Sequence, residues 1–254
     1  MTPLGRRVLA EGLGTALLVA AVIGSGIAAT RLSPDDTGLQ LLQNSVATGA
    51  ALVALILALQ PVSAAFNPVV TLAERALGAV TTAEAASSIL AQMVGGILGA
   101  VLANLMFELP AVELATTDRL GSGIWLGEIV ATAGLVLVVF GAVRSGRAET
   151  VAYAVGCYIA AAYWFTSSTS FANPAVTVAR MFSDSFAGIA PGSVLPFLLT
   201  QLLGGGLGLG LVLVLYPQAG DLARRAAGRT DQAHDDDSTQ LSEPHRRTPE
   251  EPHR

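Results

Sequence analysis

Two short stretches of the chain carry residue types that could handle a polar solute away from water. They are Phe66-Asn67-Pro68-Val69-Val70-Thr71-Leu72-Ala73 and Ala172-Asn173-Pro174-Ala175-Val176-Thr177-Val178-Ala179. Asn is a preferred helix N-cap, and Pro suits the first helical position, where its missing N–H has no intrahelical partner to lose. Asn67 and Asn173 can therefore cap a helix and also offer side-chain N–H donors to a passing oxygen.

Glu11 and Glu128 are the next candidates, because each lies inside an apolar run. A carboxylate within a membrane span is expensive and marks a functional site by default. A proton relay is one role. Acceptance of backbone N–H groups from the chain leading into a helix is the other, and the matched placement of the two residues favours it. No nucleophile–base pair, metal cluster or nucleotide loop appears, which argues against an enzyme, and no cofactor or nucleic acid is expected. His234, His245 and His253 all fall in the polar C-terminal stretch. Cys157 is the single cysteine, so an internal disulfide is excluded, and its apolar surroundings read as a small buried hydrophobe.

The elements that must position these residues are membrane spans. Hydrophobic residues make up 52% of the chain and charged residues 13%, with mean hydropathy +0.58. Six long apolar runs are expected, at about 8–29, 41–62, 84–107, 124–143, 151–166 and 194–216. The first has a basic start like a signal peptide, but it exceeds a usual apolar core and carries Glu11. The stretches after Asn67 and Asn173 break off too early to span. About 10 residues at 1.5 Å each reach roughly 15 Å, against a ~30 Å hydrocarbon core. Two such half-helices can aim their N-termini at a shared point near the midplane.

Residues 217–254 change character, with Arg224, Arg225 and Arg229 followed by Asp235-Asp236-Asp237 and a Pro-, Glu- and Arg-rich end. With little apolar surface to bury, this segment is expected to be a disordered tail. Arg6, Arg7, Arg75, Arg144, Arg147 and the early tail arginines would share one side, which places both termini in the cytoplasm by the positive-inside rule.

The order repeats. Glu11-Gly12-Leu13-Gly14-Thr15 matches Glu128-Ile129-Val130-Ala131-Thr132, and Gln92-Met93-Val94-Gly95-Gly96 matches Gln201-Leu202-Leu203-Gly204-Gly205. Each half, about 5–107 and 122–216, reads span, span, half-helix, span. Three spans per half make the second copy inverted, so the half-helices enter from opposite faces. Gly95 with Gly99, Gly204 with Gly208, and Gly206 with Gly210 have the small-xxx-small spacing of tight helix crossings.

Over about residues 5 to 216 this pattern resembles the aquaporin and glycerol facilitator family of major intrinsic proteins. The resemblance rests on the paired motifs, the two Glu residues and the inverted halves. It implies an all-α bundle of six transmembrane helices with two re-entrant half-helices, one pore per subunit and a homotetramer. It also implies that Glu11 and Glu128 support the pore loops. Asn67, Pro68, Val69, Asn173, Pro174 and Ala175 would form the pore midplane, where two helix N-termini raise the energy of a cation.

The family usually has Arg three residues after the second motif's Asn, and here that position is Val176. Counting along the chain places the remaining filter positions at Ala47, Ala161 and Ser170. Such a ring is wide, uncharged and mostly apolar, and Arg180 lies too far along the helix to replace the missing charge. Val69 also stands where the first motif usually has Ala, which bears on midplane width.

The reading is a passive channel of the cell inner membrane for small uncharged polar solutes. Glycerol-like polyols, urea, undissociated metalloid acids such as arsenite, and water are the candidates, with the lipid bilayer as surroundings. A strict water channel and a structural membrane protein with a closed pore are the alternatives.

Overall fold

A computed structural model describes residues 1–143 and 148–218; the tail expectation and His234, His245 and His253 lie outside the described residues. The described chain forms eight helices and no strand: α1 (Pro3–Leu32), α2 (Thr37–Leu59), α3 (Pro68–Ala76), α4 (Thr82–Met106), α5 (Ser122–Val143), α6 (Ala148–Phe165), α7 (Pro174–Arg180) and α8 (Pro191–Leu215). Six are long, and α3 and α7 are the expected half-helices.

Local chemistry sets the helix ends. α1 starts five residues before the expected Val8, because the Thr2 side chain accepts the Gly5 N–H at 3.1 Å and Pro3 opens the first turn. The side chain of Asp36 starts α2 by accepting the Leu39 N–H at 2.8 Å. A full capping box starts α4, with Thr81 and Glu84 each accepting the other's backbone N–H. α7 ends at Arg180, short of the Phe182 expected.

Five of the long helices are long and apolar enough to cross a membrane, and α6 is a shorter apolar helix. Their outer faces are unusually greasy: Leu90, Leu98, Leu195, Leu199 and Leu207 are all exposed. Polar groups gather inside instead, with Glu11, Glu128, Gln92 and Gln201 fully buried. That inversion suits a hydrocarbon solvent, in which apolar side chains face out at no cost.

α1 packs along α4 and α5 along α8, while α2 bridges α1 and α6. The first two crossings depend on missing side chains. A Cβ on Gly95 or Gly99 would sit 2.1 or 2.2 Å from the carbonyl oxygens of Gly12 and Ala16. On Gly204 or Gly208 it would sit 2.5 or 2.6 Å from those of Ile129 and Ala133. Gly206 and Gly210 depart from expectation, since no described residue lies within 4 Å of a Cβ built there. They lie on the opposite face of α8 from the crossing. Cys157 is exposed rather than buried, because it points away from the bundle on α6.

Candidate functional site

The two Asn-Pro turns meet and brace each other. The Oδ1 of Asn67 accepts the Val69 N–H at 2.9 Å, and that of Asn173 accepts those of Ala175 and Val176 at 3.0 and 3.3 Å. Each Nδ2 then donates across the junction, Asn67 to the Ala172 carbonyl oxygen at 2.8 Å and Asn173 to that of Phe66 at 2.7 Å. Those carbonyls are turned toward the opposite half-helix by φ of +47° at both Phe66 and Ala172, the left-handed region that side chains rarely adopt. A carboxamide carries two N–H donors, so each Asn keeps one hydrogen uncommitted among the described residues after bracing and capping.

Buried glutamates hold the strained loops in place. Glu11 accepts hydrogen bonds from the Ser63 hydroxyl, the Ala65 N–H at 3.0 Å, the Phe66 N–H at 2.8 Å and the Gln92 side chain at 2.8 Å. Glu128 accepts from the Phe171 and Ala172 N–H groups, both at 2.9 Å, and from the Gln201 side chain at 2.6 Å. Gln92 and Gln201 also donate to Thr71 and Thr177, within α3 and α7. Thus each half-helix is tied to its carboxylate through a glutamine. With every carboxylate oxygen already accepting from a fixed donor, the geometry is that of a loop anchor.

A cavity of about 780 Å³ runs beside this junction. Its wall includes Asn67, Asn173, Ser170 and Val176, together with ridges at four-residue spacing: Thr48, Leu52 and Ile56 on α2, and Val151, Val155, Ile159 and Tyr163 on α6. The Ser170 hydroxyl is buried without a hydrogen-bond partner among the described residues. Val69 turns instead toward α8, where a Cβ on Gly205 would lie 2.3 Å from its Cγ1. Gly205 thus houses the branched side chain that the motif acquires at this position.

Ala47 and Ala161 are absent from the wall, which corrects the sequence count. Ala161 is exposed on the outside of α6 and Ala47 is half-buried. Thr48 and Tyr163 face inward in their place, and their hydroxyls lie 3.1 Å apart, linking α2 to α6. The count slipped by one residue on α2 and two on α6. The four-residue ridge ending at Tyr163 was the signal that identifies the inner face.

Arg180, four residues beyond Val176, is also on the wall. A second cavity, of about 210 Å³, lies beyond the first, and Tyr163 and Arg180 line both. Their side chains form the neck between the two. Arg180 donates from Nε to the Ala187 carbonyl oxygen and stacks with its Cζ 3.4 Å from the Phe171 ring centre. Arg119, from the loop before α5, places its own Cζ 4.9 Å from the same ring. Burial lowers the Arg119 pKa from the ordinary guanidinium value, and Glu128 opposes that shift. At the other end of the large cavity, Arg7 pairs with Glu74 at 3.1 Å and donates to Ser88 at 3.0 Å.

A sequence model of the family described as Major intrinsic protein matches residues 2–170. The chain is 47% identical over 228 residues to aquaglyceroporin AqpS of Rhizobium meliloti (strain 1021), covering 89% of this chain and 97% of that protein. Its fold is similar to that of the aquaglyceroporin from Plasmodium falciparum, with a TM-score of 0.67 at 18% identity, covering 85% of this chain and 98% of that one.

Proposed function

The chain belongs to the major intrinsic protein family, and from that premise we propose that it is a passive channel for small uncharged polar solutes. Glycerol-like polyols, urea, undissociated metalloid acids such as arsenite, and water are the solutes it would pass. The observation that carries this reading is the cavity of about 780 Å³ beside the crossed Asn67 and Asn173 caps. Its wall is mostly apolar, so a solute is not held tightly, while the Asn donors and the free Ser170 hydroxyl replace part of its water shell. Two half-helix N-termini at the same point disfavour cations. The resemblance to an aquaglyceroporin along nearly the whole described chain supports the polyol class.

On this reading the halves 5–107 and 122–216 are inverted repeats, and the paired Glu–Gln–Thr anchors support that symmetry. The subunits form a homotetramer in the inner membrane with both termini cytoplasmic. Arg180 and Tyr163 support a second reading, a narrower channel that passes mainly water, because they pinch the path between the two cavities. Stopped-flow light scattering on proteoliposomes separates the two. The polyol reading requires glycerol, urea and arsenite permeabilities well above those of empty vesicles. Fast water flux with glycerol at the background rate would select the narrower channel, and neither flux would remove both.

A further inference from the structure

The smaller cavity, beyond the neck, holds two cations and no carboxylate. Arg119 and Arg180 line it together with Thr37, Asn44 and Thr169. Arg180 is only 2% exposed, so its guanidinium has lost nearly all contact with bulk water. Its Nε is committed to the Ala187 carbonyl oxygen, but neither Nη donates to another described residue. Arg119 is fixed by Nε to the Gly188 oxygen at 2.9 Å and by Nη2 to that of Phe186 at 3.4 Å, which leaves its Nη1 uncommitted among the described residues. The ion pair found among those residues, Arg7–Glu74, lies at the opposite end of the large cavity.

A buried charge stripped of its partner is strongly unfavourable, so the free Nη groups of Arg180 call for an acceptor, and the half-buried Arg119 offers a further donor beside them. Both guanidinium groups lie against the Phe171 ring, and a planar guanidinium fork matches two oxygens of one anion.

We propose that Arg119 and Arg180 form an anion-binding vestibule at this mouth of the pore, taking a small monovalent oxyanion or carboxylate. Binding there does not depend on conduction. Its consequence does rest on the channel reading: an anion on Arg180 sits over the neck and slows neutral solutes.

The test uses the full chain in detergent, with thermal unfolding followed against sodium methanesulfonate at constant ionic strength and against dimethyl sulfone, its neutral isostere. A ligand that binds the folded state raises the melting temperature with concentration. The expected result is a saturable rise with methanesulfonate and none with dimethyl sulfone. Arg180→Gln abolishes the rise, Arg180→Lys keeps part of it, and Arg119→Gln weakens apparent affinity about tenfold, the scale of one charge-assisted hydrogen bond. Should Arg180→Gln fail to fold, the Lys and Arg119 variants carry the comparison. Absence of an anion-specific rise in the parent overturns the proposal, as does a rise left unchanged by substitutions at both arginines. In proteoliposomes the same salt should slow glycerol flux through the parent and leave an Arg180→Gln channel unaffected. A parent that is stabilised by methanesulfonate yet passes no solute retains the site and loses the channel reading.

Discussion

Glu11 and Val176 show how differently two buried residues can matter. Four donors converge on the Glu11 carboxylate, two of them backbone N–H groups of a loop in strained geometry. Glu11→Gln keeps an acceptor oxygen and should retain a folded protein with reduced conduction. Glu11→Leu leaves those donors unpaired at about 1–3 kcal/mol each and should fail to fold. Size-exclusion profiles with solute flux would check both; full loss of flux in a well-folded Gln variant would point to a proton relay. Val176 makes no polar contact through its side chain, and it lies on the wall one turn before Arg180. Val176→Arg would add a second guanidinium about 6 Å along the helix from Arg180. Glycerol permeability should fall about tenfold or more, equivalent to ~1.4 kcal/mol of barrier, with water affected much less. Matched stopped-flow traces decide it. Unchanged glycerol flux would show that Val176 does not limit the path.

Among the elements, the half-helices depend on the long helices that leave them room. α3 meets α8 where Val69 occupies the space over Gly205. A methyl group at Gly205 would lie 2.3 Å from Val69 Cγ1, and such overpacking costs about 1–3 kcal/mol. Gly205→Ala should therefore lower the melting temperature in detergent. Adding Val69→Ala should recover much of that loss, giving a coupling of about 1 kcal/mol or more between the two sites. Additive effects would mean that α3 and α8 separate freely, and that Val69 does not set their spacing. Gly206 and Gly210 offer the contrast. They share the spacing of Gly204 and Gly208 but meet no neighbour among the described residues, so Ala at either should leave subunit stability within about 0.5 kcal/mol of the parent.

Across the whole molecule, the described helices bury their polar anchors against one another. They end with α8 at Leu215, while residues 219–254 add little apolar surface in sequence. A chain ending at Gly220 should assemble to the same oligomer and conduct at the parent rate. Light scattering coupled to size exclusion, with glycerol flux, measures both. Loss of either would give the tail a structural role.

Sequence alone determined the features that depend on local chemistry or on composition. Asn-Pro caps start half-helices wherever they fall, and Glu11 and Glu128 declared themselves as polar residues in runs that have no water to face. Helix ends followed to within a few residues, except where a cap such as Thr2 lay upstream of the apolar pattern. What only the tertiary structure decided is which side of each long helix faces inward. On α6 nearly every side is apolar, so composition cannot separate Ala161 from Tyr163, and a slip of two residues turns a helix through about half a revolution. Arg180 shows the same limit. Spacing along α7 places it beyond Val176, but the loop carbonyl of Ala187 and the ring of Phe171 direct its side chain back to the neck. Those partners lie seven and nine residues away on either side of α7, and only the folded turns that flank the half-helix bring them onto one side chain.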